Sequence, residues 1–270
     1  MDATTKEHVL SSGKGCFIKG TLVETPEGWT PIDVLKAGDL VMSRPQSGIG
    51  EAVPKRVVNT FRAEQKEIWY LSLGKFPKRQ GGGEQLAVTP DHLFCVYGVV
   101  TNLIVEDPLL GTLGKGDTDF DMASDPQAWE KWEAWTKFKN TPYEMQAYGQ
   151  PMWKRADQLA RGDVLLGYKD YYVVEQSRAI YAMADLKTAW VQMNGQNQDW
   201  KKLEIGHRFD FSENYSGEII DAHIKNDEML LSVDEHGNRH YEFYRTTVYA
   251  IEVEDYHSYG VGYQCIFVHD

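Results

Sequence analysis

The chain is short of cysteine, of basic charge and of long apolar runs, and each shortage excludes something. Cys16, Cys95 and Cys265 are three in number, and their spacing matches neither a disulfide framework nor a zinc knuckle. A reducing compartment, or one thiol with a chemical task, accommodates them. Lys and Arg total 28 against 40 Asp and Glu, a formal charge of −12, which repels phosphate backbones and argues against a nucleic-acid partner. No uncharged apolar run approaches the ~18 residues of a membrane-spanning helix, and residues 1–15 mix charge with Ser and Gly where a signal peptide would be apolar. The expectation is a soluble, cytoplasmic chain with no membrane contact. Placement in a virion or in a larger secreted system stays open.

Hydrophobic residues at 42% and aromatics at 12% are enough for a sizeable core, and 270 residues fit one elaborated domain. Short β-prone stretches dominate the text. FIKGTLVET runs from Phe17 to the turn Pro26-Glu27-Gly28, and Gly38-Asp39 turns into Leu40-Val41-Met42. Val57, Val58, Phe61, Ile68, Tyr70 and Leu73 read as a hairpin or meander, followed by a basic, glycine-rich loop over Lys75 to Gly83. LAVTPDHLFCVYGVV is a strand broken at Thr89 to His92, where Pro and Asp mark a bend that re-aims side chains. Strands return at EIIDAHI, at MLLSV, and at HYEFYRTTVYAIEVE beyond the turn Asp234 to Asn238; IFVHD forms the last.

One pattern repeats. Trp29, Asp33, Leu35, Gly38 and Asp39 recur as Trp153, Asp157, Leu159, Gly162 and Asp163, each shifted by 124, which points to two structurally equivalent halves. Asp39 and Asp163 are expected to cap their turns. Residues 103–152 break the β pattern: acidic residues crowd around Lys115, Ser124-Asp125-Pro126-Gln127 resembles a capping box, and Trp129, Trp132, Trp135 and Phe138 recur at i+3. An acidic, partly helical insertion is expected there, with room for a protein partner. A second helix is expected over Tyr171 to Met193, where Ile180, Ala184, Leu186, Trp190 and Met193 fall near helical spacing before Asn194-Gly195.

The chemistry centres on the peptide bond between Gly15 and Cys16. A thiolate placed beside the preceding carbonyl can convert the amide into a thioester, but the amide is a poor electrophile. Such a step requires an oxyanion donor and a proton for the departing nitrogen. His92 is the natural acid, with His257 and His269 as further acids or bases, since an ordinary histidine titrates near ~6.5. Cys95 and Cys265 read as small hydrophobes. His236 and His240 flank a hairpin turn, where solvated polar residues are commoner than metal ligands, and neither a metal nor a cofactor is expected.

These residues resemble the Hint (Hedgehog/intein) family. CFIKGTLVETPEGWTPIDVLKAGDLV is similar to its N-terminal block, TPDH to its Thr-x-x-His block, and VYAIEVEDYHSYGVG with IFVHD to its two C-terminal blocks. The resemblance implies an all-β horseshoe with pseudo-two-fold symmetry, divided into a leader (1–15), an N-terminal half (16–102), the acidic insertion (103–152) and a C-terminal half (153–270) with further inserted sequence at about 167–215. It implies Cys16 as the nucleophile of an N-to-S acyl shift, Thr89 and His92 as the groups that polarise and protonate the amide, and His257 and His269 as assistants. Two departures matter: Ala250 stands where an acidic residue is usual, and Asp270 where a cyclising Asn belongs. Full splicing by this chain is therefore not expected. N-terminal cleavage is, with the chain itself as substrate and water or an external thiol as nucleophile. The competing readings are a silent Hint-like scaffold acting as a binding module, and an intein carrying a homing endonuclease, for which neither the expected helix motif nor a basic face is found.

Overall fold

A computed structural model describes residues 8–9, 15–77, 83–102, 140–192, 206–210 and 228–270. The chain opens with β1 (His8–Val9), β2 (Phe17–Ile18), β3 (Leu22–Thr25) and β4 (Gly28–Pro31), makes a 3-10 turn (Ile32–Val34), and continues through β5 (Leu40–Ser43), β6 (Val53–Glu67), β7 (Trp69–Lys75), β8 (Glu84–Val88) and β9 (Leu93–Val100). After β10 (Met145–Arg155) comes a second 3-10 turn (Ala156–Gln158), then β11 (Asp163–Leu166), β12 (Tyr171–Ala179), β13 (Tyr181–Ala182), β14 (Thr188–Gln192) and β15 (Gly206–Asp210). The hairpin β16 (Leu231–Val233) and β17 (Arg239–Tyr241) leads to β18 (Arg245–Val253), β19 (Ser258–Val261) and β20 (Ile266–His269). The fold is all-β.

Fifteen strands join one sheet in the order β1-β6-β18-β2-β8-β7-β12-β11-β9-β20-β19-β3-β4, with β5 added to β6 and β10 to β9. β13, β14 and β15 form a small separate sheet. Strand alternation sends Phe17 into the main core with Leu71, Phe94, Leu165, Ile251, Tyr259 and Val268. Its neighbours Cys16 and Ile18 point the other way, into a second cluster with Val248 and Ala250 beneath Ala189, Val191 and Phe209 of the small sheet. β2 is thus buried on both faces, which is why its two residues are Phe and Ile. Each such side chain taken from water contributes ~1.5–3 kcal/mol.

The 124-residue echo is structural. In both copies a strand containing the Trp runs into a 3-10 turn and then a glycine with positive φ, +102° at Gly38 and +97° at Gly162, a region that a side chain would strain. The following Asp closes the same turn twice: Asp39 Oδ2 accepts the Lys36 N–H at 2.8 Å, and Asp163 Oδ2 accepts the Ala160 N–H at 2.9 Å. The capping role expected for both aspartates is met. The copies differ in burial, because Asp39 is exposed while Asp163 is buried against Lys154.

Two expectations fail. Of the helix expected over Tyr171 to Met193, the described part, Tyr171 to Gln192, forms instead the strands β12, β13 and β14, with a turn at Leu186 held in positive φ (+60°). Ile180, Ala184, Leu186 and Trp190 are all an even number of residues apart, so the spacing that fits a helix fits alternation as well, and pairing of β12 with β7 and of β14 with β13 and β15 decides it. Val57 to Leu73 is not a hairpin either: β6 lies beside β18 and β5, whereas β7 crosses to β8 and β12. Alternation identifies a strand without naming its neighbour. The leader apart from His8, Val9 and Gly15, the aromatic stripe Trp129 to Phe138 with its capping box, residues 78–82, and the stretch Glu218 to Ile224 lie outside the described residues. The sheet resumes within the sequence expected to be insertion, where Met145 stands opposite Val100.

Candidate active site

Strand register assembles the site. Phe17 is paired with Val88, so in an antiparallel ladder Cys16, one step earlier, meets Thr89, one step later. The Cys16 N–H donates to Thr89 Oγ1 at 2.9 Å, and the Thr89 N–H donates to the Cys16 carbonyl at 2.8 Å. The Thr89-Pro90-Asp91-His92 turn then folds back, the His92 N–H reaching the Thr89 carbonyl at 3.2 Å. The second copy of the repeated motif pins this turn from outside: Ala156 N–H donates to the His92 carbonyl at 2.8 Å and Asp157 N–H to the Pro90 carbonyl at 3.0 Å. Cys16, Thr89 and His92 are 1%, 4% and 1% exposed, so all three are withdrawn from bulk solvent.

His92 is enclosed by aromatic rings, with Phe17 at 4.4 Å, Phe94 at 5.7 Å and Tyr259 at 6.4 Å between centroids. Neither ring nitrogen completes a hydrogen bond. Burial pushes its pKa down to about 3, an incomplete hydrogen bond with the Gly15 backbone opposes this in part, and the proximity of His269 adds to it. The imidazole is therefore neutral near pH 7, and the accessibility of both charge states expected from an ordinary histidine is not what this fold provides. Tyr259 completes the wall. Its ring lies 6.4 Å from that of Phe17, it is fully buried, and its hydroxyl is also unpartnered. Burial, with smaller contributions from Cys16 and Asp270, raises its pKa well above the ordinary tyrosine value, so it remains a phenol. Unpartnered buried polar atoms are rare in folded proteins, and three of them surround this one junction.

The C-terminal strand ends at the same place. Val268 is paired with Phe94, which brings His269 and Asp270 alongside the start of β9. Asp270 Oδ2 accepts the Val253 N–H at 2.7 Å, and the Asp270 N–H donates to the His257 carbonyl at 3.1 Å. Its carboxylate, 5% exposed, sits 3.4 Å from His257 Nδ1 and 3.8 Å from His269 Nδ1. The two imidazoles are parallel at 6.4 Å. Gln46 donates its amide to His269 Nε2 at 2.9 Å, which leaves Nδ1 to carry the ring hydrogen and donate it to the Asp270 main-chain oxygen at 2.9 Å. Trp153 packs its ring against His269 at 5.4 Å and donates its indole N–H to the Gln46 carbonyl at 3.2 Å.

All seven residues singled out from the sequence thus fall in two adjoining groups, Gly15, Cys16, Thr89 and His92 in one and His257, His269 and Asp270 in the other. Ala250 is buried in the same apolar cluster as Cys16. His236 and His240 stand apart on the β16–β17 hairpin, with side chains 76% and 51% exposed. Sequence reasoning passes over Tyr259 and Gln46 as site residues and takes Trp153 only as part of the repeat. For Tyr259 the signal was its position two residues after His257 within one motif; Gln46 carries no local signal at all.

No protein-family model and no curated protein matches the chain. Among solved structures it is similar to the bacterial intein-like domain from Clostridium thermocellum, at 18% identity and a TM-score of 0.44 over 94% of this chain and 98% of that one. It is also similar to the gp41-1 intein, at 13% identity and a TM-score of 0.41 over 95% and 98%, and to a DnaB intein from Synechocystis, at 9% and 0.40 over 95% and 98%.

Proposed function

We propose that the chain is an autoprocessing domain of the Hint type that converts the Gly15–Cys16 amide into a thioester and so cleaves its own N-terminal side. One observation carries the reading: the amide N–H of Cys16 is held by Thr89 Oγ1 at 2.9 Å in a buried pocket where the His92 ring lies against the Gly15 backbone. In the reaction the Cys16 sulfur forms a bond to the Gly15 carbonyl carbon, and the carbonyl π pair moves to oxygen. Collapse of that intermediate breaks the bond to the Cys16 nitrogen, and the proton lost from sulfur ends on that nitrogen. A neutral imidazole suits this accounting. One ring nitrogen gives a proton while the other takes one, so no imidazolium need exist at rest. The Thr89 hydroxyl orients the amide it accepts from, and water or an external thiol then attacks the thioester. Asparagine cyclisation requires a side-chain carboxamide, which Asp270 lacks, so cleavage at Cys16 is the chemistry assigned.

The test is the intact mass of purified protein incubated near pH 7 with and without hydroxylamine or dithiothreitol. The expected result is nucleophile-accelerated loss of the residues preceding Cys16 in the wild type, none in Cys16→Ala, and a rate lowered ~100-fold or more in His92→Ala. A wild type inert to every nucleophile would leave a silent scaffold, and cleavage undiminished in Cys16→Ala would remove the thioester.

A further inference from the structure

The position preceding Cys16 has no room for a side chain. A Cβ built on Gly15 would lie 2.2 Å from His92 Nδ1, 2.4 Å from His92 Cα and 2.6 Å from His92 Cβ. The first contact could be relieved by rotating a side chain, but the second is with main chain. That main chain is fastened on both sides, by the His92 N–H to the Thr89 carbonyl at 3.2 Å and by the His92 carbonyl to the Ala156 N–H at 2.8 Å. The ring itself cannot swing away, since Phe17, Phe94 and Tyr259 enclose it. The glycine is required by close approach.

We infer that the site is specific for a glycyl acyl group: His92 acts as a steric filter that admits only glycine at position 15, so that the acyl group passed to the Cys16 sulfur is unbranched and unhindered. This rests on the acyl-shift reading above and names its substrate class. Restoring an ordinary carbon–carbon separation of ~3.5 Å from a 2.4 Å contact requires Gly15 to move by roughly 1 Å. A displacement of that size at a reacting carbonyl lowers a rate ~100-fold. The same movement pulls the Cys16 amide from Thr89 Oγ1 and opens the cover over its thiol. A glycyl thioester is the least crowded target for an incoming nucleophile, which suits a pocket that leaves little space at that carbon. Any segment released from this site ends in glycine.

The experiment compares wild type, Gly15→Ala and, as a control, Gly149→Ala, where a Cβ meets nothing within 4 Å. Hydroxylamine cleavage is followed by mass, and thiol accessibility by maleimide labelling of the folded protein with peptide mapping. Cys95 and Cys265 are buried, and burial raises both thiol pKa values, that of Cys95 to about 12. They remain unlabelled unless the whole chain unfolds. Gly15→Ala is expected to lose cleavage ~100-fold and to expose Cys16 alone, with Gly149→Ala unchanged on both counts. Retention of either the cleavage rate or the Cys16 protection in Gly15→Ala overturns the filter. If the wild type itself never cleaves, the acyl-shift reading fails separately, and the labelling result alone decides whether position 15 admits a side chain.

Discussion

Acidification from pH 7 to pH 5 should weaken this protein through one buried imidazole. His92 titrates near ~6.5 in the unfolded chain, whereas burial among Phe17, Phe94 and Tyr259 brings it to about 3 in the fold. Between those values the unfolded state binds a proton that the folded state refuses. The contribution is therefore complete above the unfolded pKa and is lost as the pH falls toward the folded one. The slope is at most ~1.4 kcal/mol per pH unit, and integration from pH 7 to pH 5 gives a loss of about 2 kcal/mol from this group. Urea unfolding of the wild type and of His92→Gln at both pH values isolates it, because every other titrating group contributes to both proteins. The wild type should lose about 2 kcal/mol more than the variant. Equal losses in the two proteins would mean that His92 takes up a proton within the fold, and the neutral relay assigned to it would fall.

Two further substitutions probe the framework around the junction. Lys154 Nζ meets both Asp163 oxygens, at 2.8 and 3.0 Å, and that carboxylate is 3% exposed. Lys154→Met should lower the urea-unfolding free energy by about 3 kcal/mol by leaving a buried charge unpaired, and a loss below ~1 kcal/mol would place the pair among inconsequential surface contacts. Tyr259→Phe removes an unpartnered buried hydroxyl, so its stability should equal the wild type's or exceed it by up to ~1 kcal/mol. A loss larger than that would show that the phenol is hydrogen-bonded in solution.

Much of the site can be read along the chain because its parts are local. The Thr89-Pro90-Asp91-His92 break announces itself by a proline and an aspartate inside apolar text, and the doubled Trp, Gly and Asp pattern marks equivalent turns because positive φ at Gly38 and Gly162 excludes other residues. What could not be read depends on distant chain. The charge state of His92 is set by rings contributed from β2, β9 and β19, and Gln46 reaches His269 across 223 residues of sequence. The helix expected at Tyr171 to Met193 failed for the same reason: an even spacing of apolar residues serves two periods, and only strand pairing, of β12 with β7 and of β14 with β13 and β15, selects one.

By itself, then, the sequence determined the β texture and the two equivalent turns and singled out Gly15 and Cys16 as the candidate pair, since each is suggested by alternation, by glycine's conformational range or by thiol chemistry. Tertiary structure alone decided that His92 is neutral, that Gly15 has no room for a side chain, and that His269 and Asp270 stand beside a junction some 250 residues away in sequence. Desolvation, steric exclusion and strand register are properties of neighbours, and a linear chain does not name its neighbours.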